Sequence, residues 1–488
     1  MSFMSEIKET IRSFQEEMLK SLQECLKIKS LSGEEEGTRR VLEYFLELGR
    51  SLGFEAKNID NLGGVIEFGG DHNDGKDSGN SPGETIGIIV HLDVVPEGRG
   101  WKHEPFAGQI EDGKIYGRGA IDDKGPAISA LYAMKAVKDS GFIPKGKIQM
   151  IIGLDEETSW AKTPKLLEKI PEPDFSFVPD SVFPLVIAEK GLVWLELKKV
   201  FKQKEIPDNQ SPKPQSGFKI KKIEGGASLN IVPAYCEALL EIPEGEKNAV
   251  CRKLKQLISQ SGFRLELMEK GTDATLASYG QPAHAFNCQE GQNAVAQLLV
   301  FLARAEVLEM LDLTDEQRKF ITLFAQKIGL EHYGESLGLA CEDDLTGKLT
   351  VNPGFLRMDH QALTLGLDIR FPAAERLESM LEKIKSAFRC FEAEQTVLDS
   401  LDSLSFSEDE EHIQKLLKVY RDFTGQQEVK ALGTGGTTFA KAFKRAVAFG
   451  PTFPGTPKVE HQPDEYIEIE HLINCTEIYA LAIKELTS

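Results

Sequence analysis

The sequence offers little to tie it to a membrane or to an oxidising compartment. No apolar run approaches the about 20 residues needed to span a bilayer. The opening MSFMSEIKETIRSFQEEMLKSL is amphipathic and charged, without the apolar core of a signal peptide. Its seven cysteines are odd in number, scattered through core-like segments and without a CxxC pair. That argues against a disulfide framework or a thiolate metal site and fits reduced thiols in a cytoplasm. Basic charge is also scarce: 57 Lys and Arg stand against 77 Asp and Glu, a net charge of -20. This balance speaks against a nucleic-acid surface and against binding to anionic membranes, and solubility is its plainest meaning.

What is present is a globular composition, 41% hydrophobic and 27% charged over 488 residues, too long for a single core. Residues 5 to 53 read as helices closed by a turn at Gly53. HNDGKDSGNSPGE at 72–84 reads as a polar surface loop, and QKEIPDNQSPKPQSG at 203–217 as a Pro-rich polar insertion. Between them, GLVWLELKKVF alternates like a strand. The stretch near 403 to 412 reads as the return to the first domain.

Chemistry gathers where apolar runs stop. GIIVHLDVVPEG, 87–98, is a buried-strand pattern that ends in His91, Leu92 and Asp93. His-x-Asp on a strand puts both side chains on one side, so the Asp93 carboxylate is expected to accept the second ring N–H of His91. YGRGAIDDKG holds Asp122 and Asp123 on a glycine-constrained turn ahead of an apolar helix. The strand-like KIQMIIGL delivers Asp155, Glu156 and Glu157, and PDFSFVPDSVFP carries Asp180. Far downstream, AVAFGPTFPGTPKVEHQPDEYI supplies His461 beside Glu460 and ahead of Asp464 and Glu465. Singly, each reads as a packed histidine, a turn former or a solvated acid. As a set of carboxylates placed after apolar residues, they would be costly unless paired or metal-bound. Nitrogen and oxygen donors without thiolate suit two zinc or manganese ions.

The middle of the chain carries a second group. GGASLNIVP contains Asn230, YGQPAHAFNCQEGQNA places His284 after a small-residue turn and before a helix, and LDIRFP ends a strand with Arg370. ALGTGGTTFAKAF offers the backbone N–H groups of Gly435, Gly436 and Thr437 at an apparent helix start, an arrangement suited to an anion.

In order and spacing, HLD, GRGAIDDKG, DEE, the PD at 179–180 and the late EHQ resemble the co-catalytic zinc metallopeptidase family of carnosinases, aminoacylases and glutamate carboxypeptidase, over nearly the whole chain. The long middle segment and the ending resemble its bacterial Xaa-His, or β-Ala-Xaa, dipeptidases. The resemblance implies two divalent metals, zinc first and manganese or cobalt as alternatives. Asp122 would bridge them, His91 and Asp180 would complete one site, and Glu157 and His461 the other. Asp93 would support His91, and Glu156 would be the general base, its side chain directed away from that of Glu157 if the segment is extended. His284 would stabilise the oxyanion, Arg370 aided by Asn230 would hold the substrate carboxylate, and the Gly435, Gly436 and Thr437 amides would bind it too. Where the family usually has a proline after the His motif, this chain has Asn287, Cys288 and Gln289.

The expected fold is α/β: a sandwich around a mainly parallel sheet with the metals at strand carboxyl ends, plus an inserted α+β lid domain. Catalytic segments would span 1–188 and 404–488, and the lid 189–403. The expected activity is hydrolysis of unblocked dipeptides by a cytoplasmic monomer that binds neither nucleic acid nor membrane. An N-acyl amino acid deacylase or carboxypeptidase of the same family is the nearest alternative. A non-catalytic binding protein and a two-metal phosphoesterase are more distant ones.

Overall fold

The structure, a computed structural model, describes residues 3–69, 83–158, 160–201, 218–271 and 273–488. The surface loop expected at 72–84 lies outside the described residues as far as 82, and so does the whole Pro-rich insertion at 203–217. The chain divides into two compact units: Met1–Ala188 with Phe406–Gly433 and Thr437–Ser488, and Glu189–Ser405 with Thr434–Gly436.

In the first unit one sheet runs in the order Glu55–Ile59, Gly63–Gly69, Lys147–Gly153, Ile86–His91, Phe175–Val178, Ala446–Ala448, Val186–Glu189. Its four middle strands, from Lys147–Gly153 to Ala446–Ala448, are parallel, and the pairs outside them are antiparallel. The strand IGIIVH of Ile86–His91 is buried at every position, as a parallel strand covered on both faces must be. Gly63 and Gly64 locate those two faces. A Cβ on Gly63 would strike Leu166, whereas one on Gly64 would strike Leu42 and Leu46. Successive strand residues point to opposite sides, so the helices Thr163–Leu167 and Glu35–Ser51 cover opposite faces of the sheet.

The larger core lies on the Glu35–Ser51 side. There Ile86, Ile88, Val90, Ile148, Met150 and Ile152 pack with the helices Lys124–Asp139 and Ile469–Leu486. Each fully buried Ile or Leu contributes about 1.5–3 kcal/mol of transfer free energy, so these strands are rigid supports for whatever their ends carry. This is the α/β architecture expected from the sequence.

The second unit is built differently. Its sheet runs Leu265–Lys270, Asp273–Tyr279, Tyr235–Glu241, Phe218–Gly225, Thr350–Asp359, Ala362–Phe371, Gly191–Val200, Glu394–Leu401 with antiparallel neighbours throughout, and the short Leu311–Asp312 joins Phe218–Gly225 in parallel. Burial alternates along Tyr235–Glu241, the mark of a sheet with one covered face. The helices Lys247–Ser259, Ala294–Leu302, Asp315–Lys327 and Leu377–Ala387 contribute to its core. Asp315–Lys327 begins with a reciprocal capping box between Thr314 and Gln317, legible in the spacing T-x-x-Q. No helix among the described residues is long and apolar enough to cross a membrane.

Candidate metal and catalytic site

Three adjacent parallel strands of the first unit, Lys147–Gly153, Ile86–His91 and Phe175–Val178, end along one edge of the sheet. His91 is the last residue of its strand, Glu156 and Glu157 follow Gly153 on a turn, and Asp180 lies two residues beyond Val178. Asp122 sits on the turn ahead of the helix Lys124–Asp139, and its peptide bond to Asp123 is cis. His461 comes from a late loop, with φ of 62°.

The two oxygens of Asp122 face two imidazoles. Oδ1 lies 3.1 Å from Nε2 of His91, and Oδ2 lies 3.0 Å from Nε2 of His461. His461 Nε2 is also 3.0 Å from Glu157 Oε1, and His91 Nε2 is 3.9 Å from Asp180 Oδ2. Donor atoms of His91, Asp122 and Glu157 lie within 4.8 Å of one another, and so do those of His91, Glu156 and Asp180. All of the residues expected as metal donors are therefore gathered in one unit, with Glu156 among them.

Asp93 does more than the sequence expectation assigns to it. Nδ1 of His91 lies 3.0 Å from the Asp93 carbonyl oxygen and 3.5 Å from its carboxylate. A carbonyl can only accept, so Nδ1 carries a proton there and Nε2 is the nitrogen turned toward the acids. The Asp93 carboxylate, at ion-pairing distance from that ring, also accepts the backbone N–H groups of Glu156 (3.3 Å) and Glu157 (3.1 Å). It thereby braces the turn that carries both glutamates. That turn also corrects the expectation of an extended segment: turn geometry, not strand alternation, sets the directions of Glu156 and Glu157.

Six carboxyls, of Asp93, Asp122, Asp123, Glu156, Glu157 and Asp180, crowd around two imidazoles. Burial, and then the surrounding carboxylates, push Glu156, Asp180 and Asp123 well above the usual carboxylate range and raise Glu157. Burial works the same way on Asp122, but His461 and His91 overcome it and hold that carboxyl low. Burial opposes the charged form of His461, yet Asp122 and Glu157 lift its pKa to about 11. His91 is raised well above its ordinary value against the same penalty, by Asp122 and Asp93. Protein groups alone thus cannot keep all these acids ionised. Asp123 even leaves Oδ1 buried without a hydrogen-bond partner. Added positive charge is what such a donor set lacks, and its oxygen and imidazole atoms fit divalent metal ions.

The remaining expected residues fall mostly in the second unit. Asn230 and His284 are neighbours there: Ile231 and His284 form an antiparallel bridge, and the Ala285 N–H donates to the Asn230 carbonyl at 2.8 Å. Buried Asn352 fixes that loop by donating to the carbonyls of Leu229 (3.0 Å) and Ile231 (3.2 Å). His284 caps a short 3₁₀ turn, Ala285–Glu290, kinked at Asn287, and its Nδ1 accepts the Phe286 N–H at 3.3 Å. Arg370, buried near the end of its strand, sets Nε and Nη2 against Asp368 at 2.9 and 3.2 Å. One edge of the guanidinium fork is therefore occupied by the protein itself.

The helix start expected after Gly435, Gly436 and Thr437 is not there. Only the four-residue 3₁₀ turn Phe439–Ala442 follows, too short for an appreciable macrodipole. The Gly436 N–H is taken by Thr434 Oγ1 at 3.1 Å. Gly435 has another reason to be glycine, since a Cβ there would lie 2.9 Å from the Phe286 ring.

Glu465, named among the late acids of the sequence but assigned no role there, is fully buried beside the Asp122 turn and paired with Arg118. Burial and the nearby Asp122 raise its pKa to about 7 although Arg118 opposes them. Its only local signal is an acid flanked by Asp464 and Tyr466 in a loop already rich in acids.

Residues 87–485 match the model described as peptidase family M20/M25/M40. A Bacillus subtilis (strain 168) protein named "Putative dipeptidase YtjP" is 35% identical over 490 residues, 98% of each chain. The Beta-Ala-Xaa dipeptidase of Lactobacillus delbrueckii subsp. lactis is 30% identical over 500 residues, again 98% of each. Among solved structures, human carnosine dipeptidase 1 superposes with a TM-score of 0.59 at 16% identity, covering 100% of this chain and 99% of that one, a likeness of fold. With the match spanning most of the sequence and the donor cluster assembled inside it, the chain belongs to peptidase family M20/M25/M40, the metal-dependent peptidases its motifs resemble.

Proposed function

We propose that the chain is a metal-dependent dipeptidase that hydrolyses unblocked dipeptides, among them β-Ala-Xaa or Xaa-His. The observation that carries this reading is Asp122, whose two oxygens face His91 and His461 separately with Glu156, Glu157 and Asp180 around them. The names of the full-length relatives support the substrate class. Asp122 would be shared by two divalent ions, zinc first, with manganese or cobalt as alternatives. His91 and Asp180 would complete one position, Glu157 and His461 the other. Such ions supply Lewis acidity toward the scissile carbonyl and toward water.

The chain's own groups do the rest. Glu156, set beside His91 and Asp180, takes a proton from the attacking water as an ionised carboxylate. As the C–N bond breaks, it passes that proton to the leaving amine. Asp93 keeps Glu156 and Glu157 in register through their backbone N–H groups. His284 donates to the oxygen that gains negative charge. Arg370 with Asn230, and the amides of Gly435 and Thr437, hold the carboxylate of the dipeptide, while the Gly436 N–H stays with Thr434. The chain is proposed to act as a monomer. Seven free cysteines support a reducing compartment, the cytoplasm.

The test is a panel of dipeptides, each beside its N-acetylated form, offered to metal-stripped protein restored with zinc, manganese or cobalt. Cleavage of the free-amine members, abolished by chelator, is the expected result. Cleavage of only the acetylated members would make the protein a deacylase and overturn the dipeptidase reading. Asp122→Ala is expected to empty both metal positions, and loss of one ion alone would refute the bridging role.

A further inference from the structure

We infer that Glu465 is a positioning residue that sets the metal affinity of the site by locking the Asp122 turn to the His461 loop, an inference that rests on the two-metal reading above. Glu465 is fully buried, and both its main chain and its side chain grip the turn. Its carbonyl oxygen accepts the Gly117 N–H at 2.9 Å. Its Oε1 accepts three further N–H groups, from Gly119 (3.1 Å), Ile121 (3.0 Å) and Asp122 (3.3 Å). Its Oε2 takes Nη1 of Arg118 at 2.5 Å. Every one of these partners lies between residues 117 and 122.

The register explains how one residue reaches so many. The strand Tyr466–Glu468 pairs antiparallel with Lys114–Tyr116, Tyr466 opposite Tyr116, which brings Glu465 alongside the turn as it leaves that ladder. Four residues upstream of Glu465 is His461, whose Nε2 meets Asp122 Oδ2 at 3.0 Å. A shift of either segment would change that distance, and Glu465 fastens the one to the other across more than 340 residues of sequence.

The chemistry of the clamp narrows what can replace it. A carboxylate alone offers one oxygen to a fan of N–H groups and a second to a guanidinium. Arg118 is itself confined: it is buried, Nη2 donates to the Glu97 carbonyl at 3.3 Å, and its guanidinium lies 5.3 Å from the centre of the Trp101 ring. Two buried ions cost desolvation that their attraction barely repays, so stability alone is a poor reason to build such a pair. Holding a metal donor in one place is a better one, because groups behind the ligands commonly alter affinity 10–100-fold.

The experiment measures zinc affinity of metal-stripped protein by competition with a chromophoric chelator, alongside melting temperature without metal and KM with metal. Glu465→Ala is expected to bind zinc about 100-fold more weakly. Glu465→Gln, which keeps an acceptor for the three N–H groups but loses the ion pair, should fall about three- to tenfold. KM should stay near the wild-type value in both. Wild-type zinc affinity in a folded Glu465→Ala protein would overturn the inference, as would a lowered melting temperature with unchanged affinity. If Glu465→Ala does not fold, wild-type affinity in Glu465→Gln overturns it equally. Failure of the wild-type chain itself to take up zinc, manganese or cobalt would instead strike the two-metal reading.

Discussion

The two units solve the problem of placing polar chemistry in opposite ways. In the first, the central parallel strands are buried from end to end, as in IGIIVH, so reactive groups can sit only where strands stop. Each such group then follows an apolar run and stands out in the sequence. In the second, an antiparallel sheet alternates buried and open positions, and Asn230, His284 and Arg370 belong to loops and strands where polar residues are ordinary. The contrast extends to electrostatics. The first unit collects six carboxyls against two imidazoles and leaves a demand for cations, whereas Arg370 in the second is partnered locally by Asp368. One region is organised around charge it does not itself contain.

If this division is right, substitutions in the two regions should separate metal content from turnover. The largest effect is expected at Glu156: Glu156→Ala should lower kcat by about a thousandfold while metal content, measured by emission spectrometry, stays near two ions per chain. Near-normal turnover would remove Glu156 from proton transfer. His284→Ala should cost about a hundredfold in kcat with little change in KM and none in metal content. A change in KM alone would make it a binding residue. Arg370→Lys should raise KM about tenfold, because a point charge replaces a planar fork. Unchanged KM would remove Arg370 from substrate binding.

The smallest effect concerns protons. In the metal-free chain His91 and His461 are held protonated well above pH 6.5, and Glu156, Asp180 and Glu157 are raised as well. Metal ligands must be deprotonated, so uptake at neutral pH should expel protons and affinity should rise with pH up to the folded value of His461, about 11. Calorimetry in buffers of different ionisation enthalpy reads this directly. Metal uptake without proton release would mean that the two imidazoles are not displaced from their acid partners.

Much of the first unit was legible because its signals are local. An apolar run followed by His-x-Asp, Asp-Glu-Glu or Pro-Asp marks a strand end, and a carboxylate there demands a partner. The errors were local as well. Asp93 was expected to brace His91 with its carboxylate; that group is at ion-pairing distance, but the Asp93 carbonyl lies nearer the ring and the carboxylate also accepts the turn N–H groups of Glu156 and Glu157. The glycines at 435 and 436 read as a helix start, but they answer to the Phe286 ring and the Thr434 hydroxyl.

By itself, then, the sequence determined which donors exist, that they are oxygen and nitrogen rather than sulfur, and that most of them stand at the ends of buried parallel strands. These follow from side-chain chemistry and from the two- and 3.6-residue periods of the backbone, which act over a few residues. Only the tertiary structure decided that Asp122 turns one oxygen to each imidazole, that Arg370 shares Asp368 with Trp194, and that Glu465 holds a turn some 340 residues away. Those are distances between segments remote in the chain, set by how the sheets and helices pack, and no local pattern of residues encodes them.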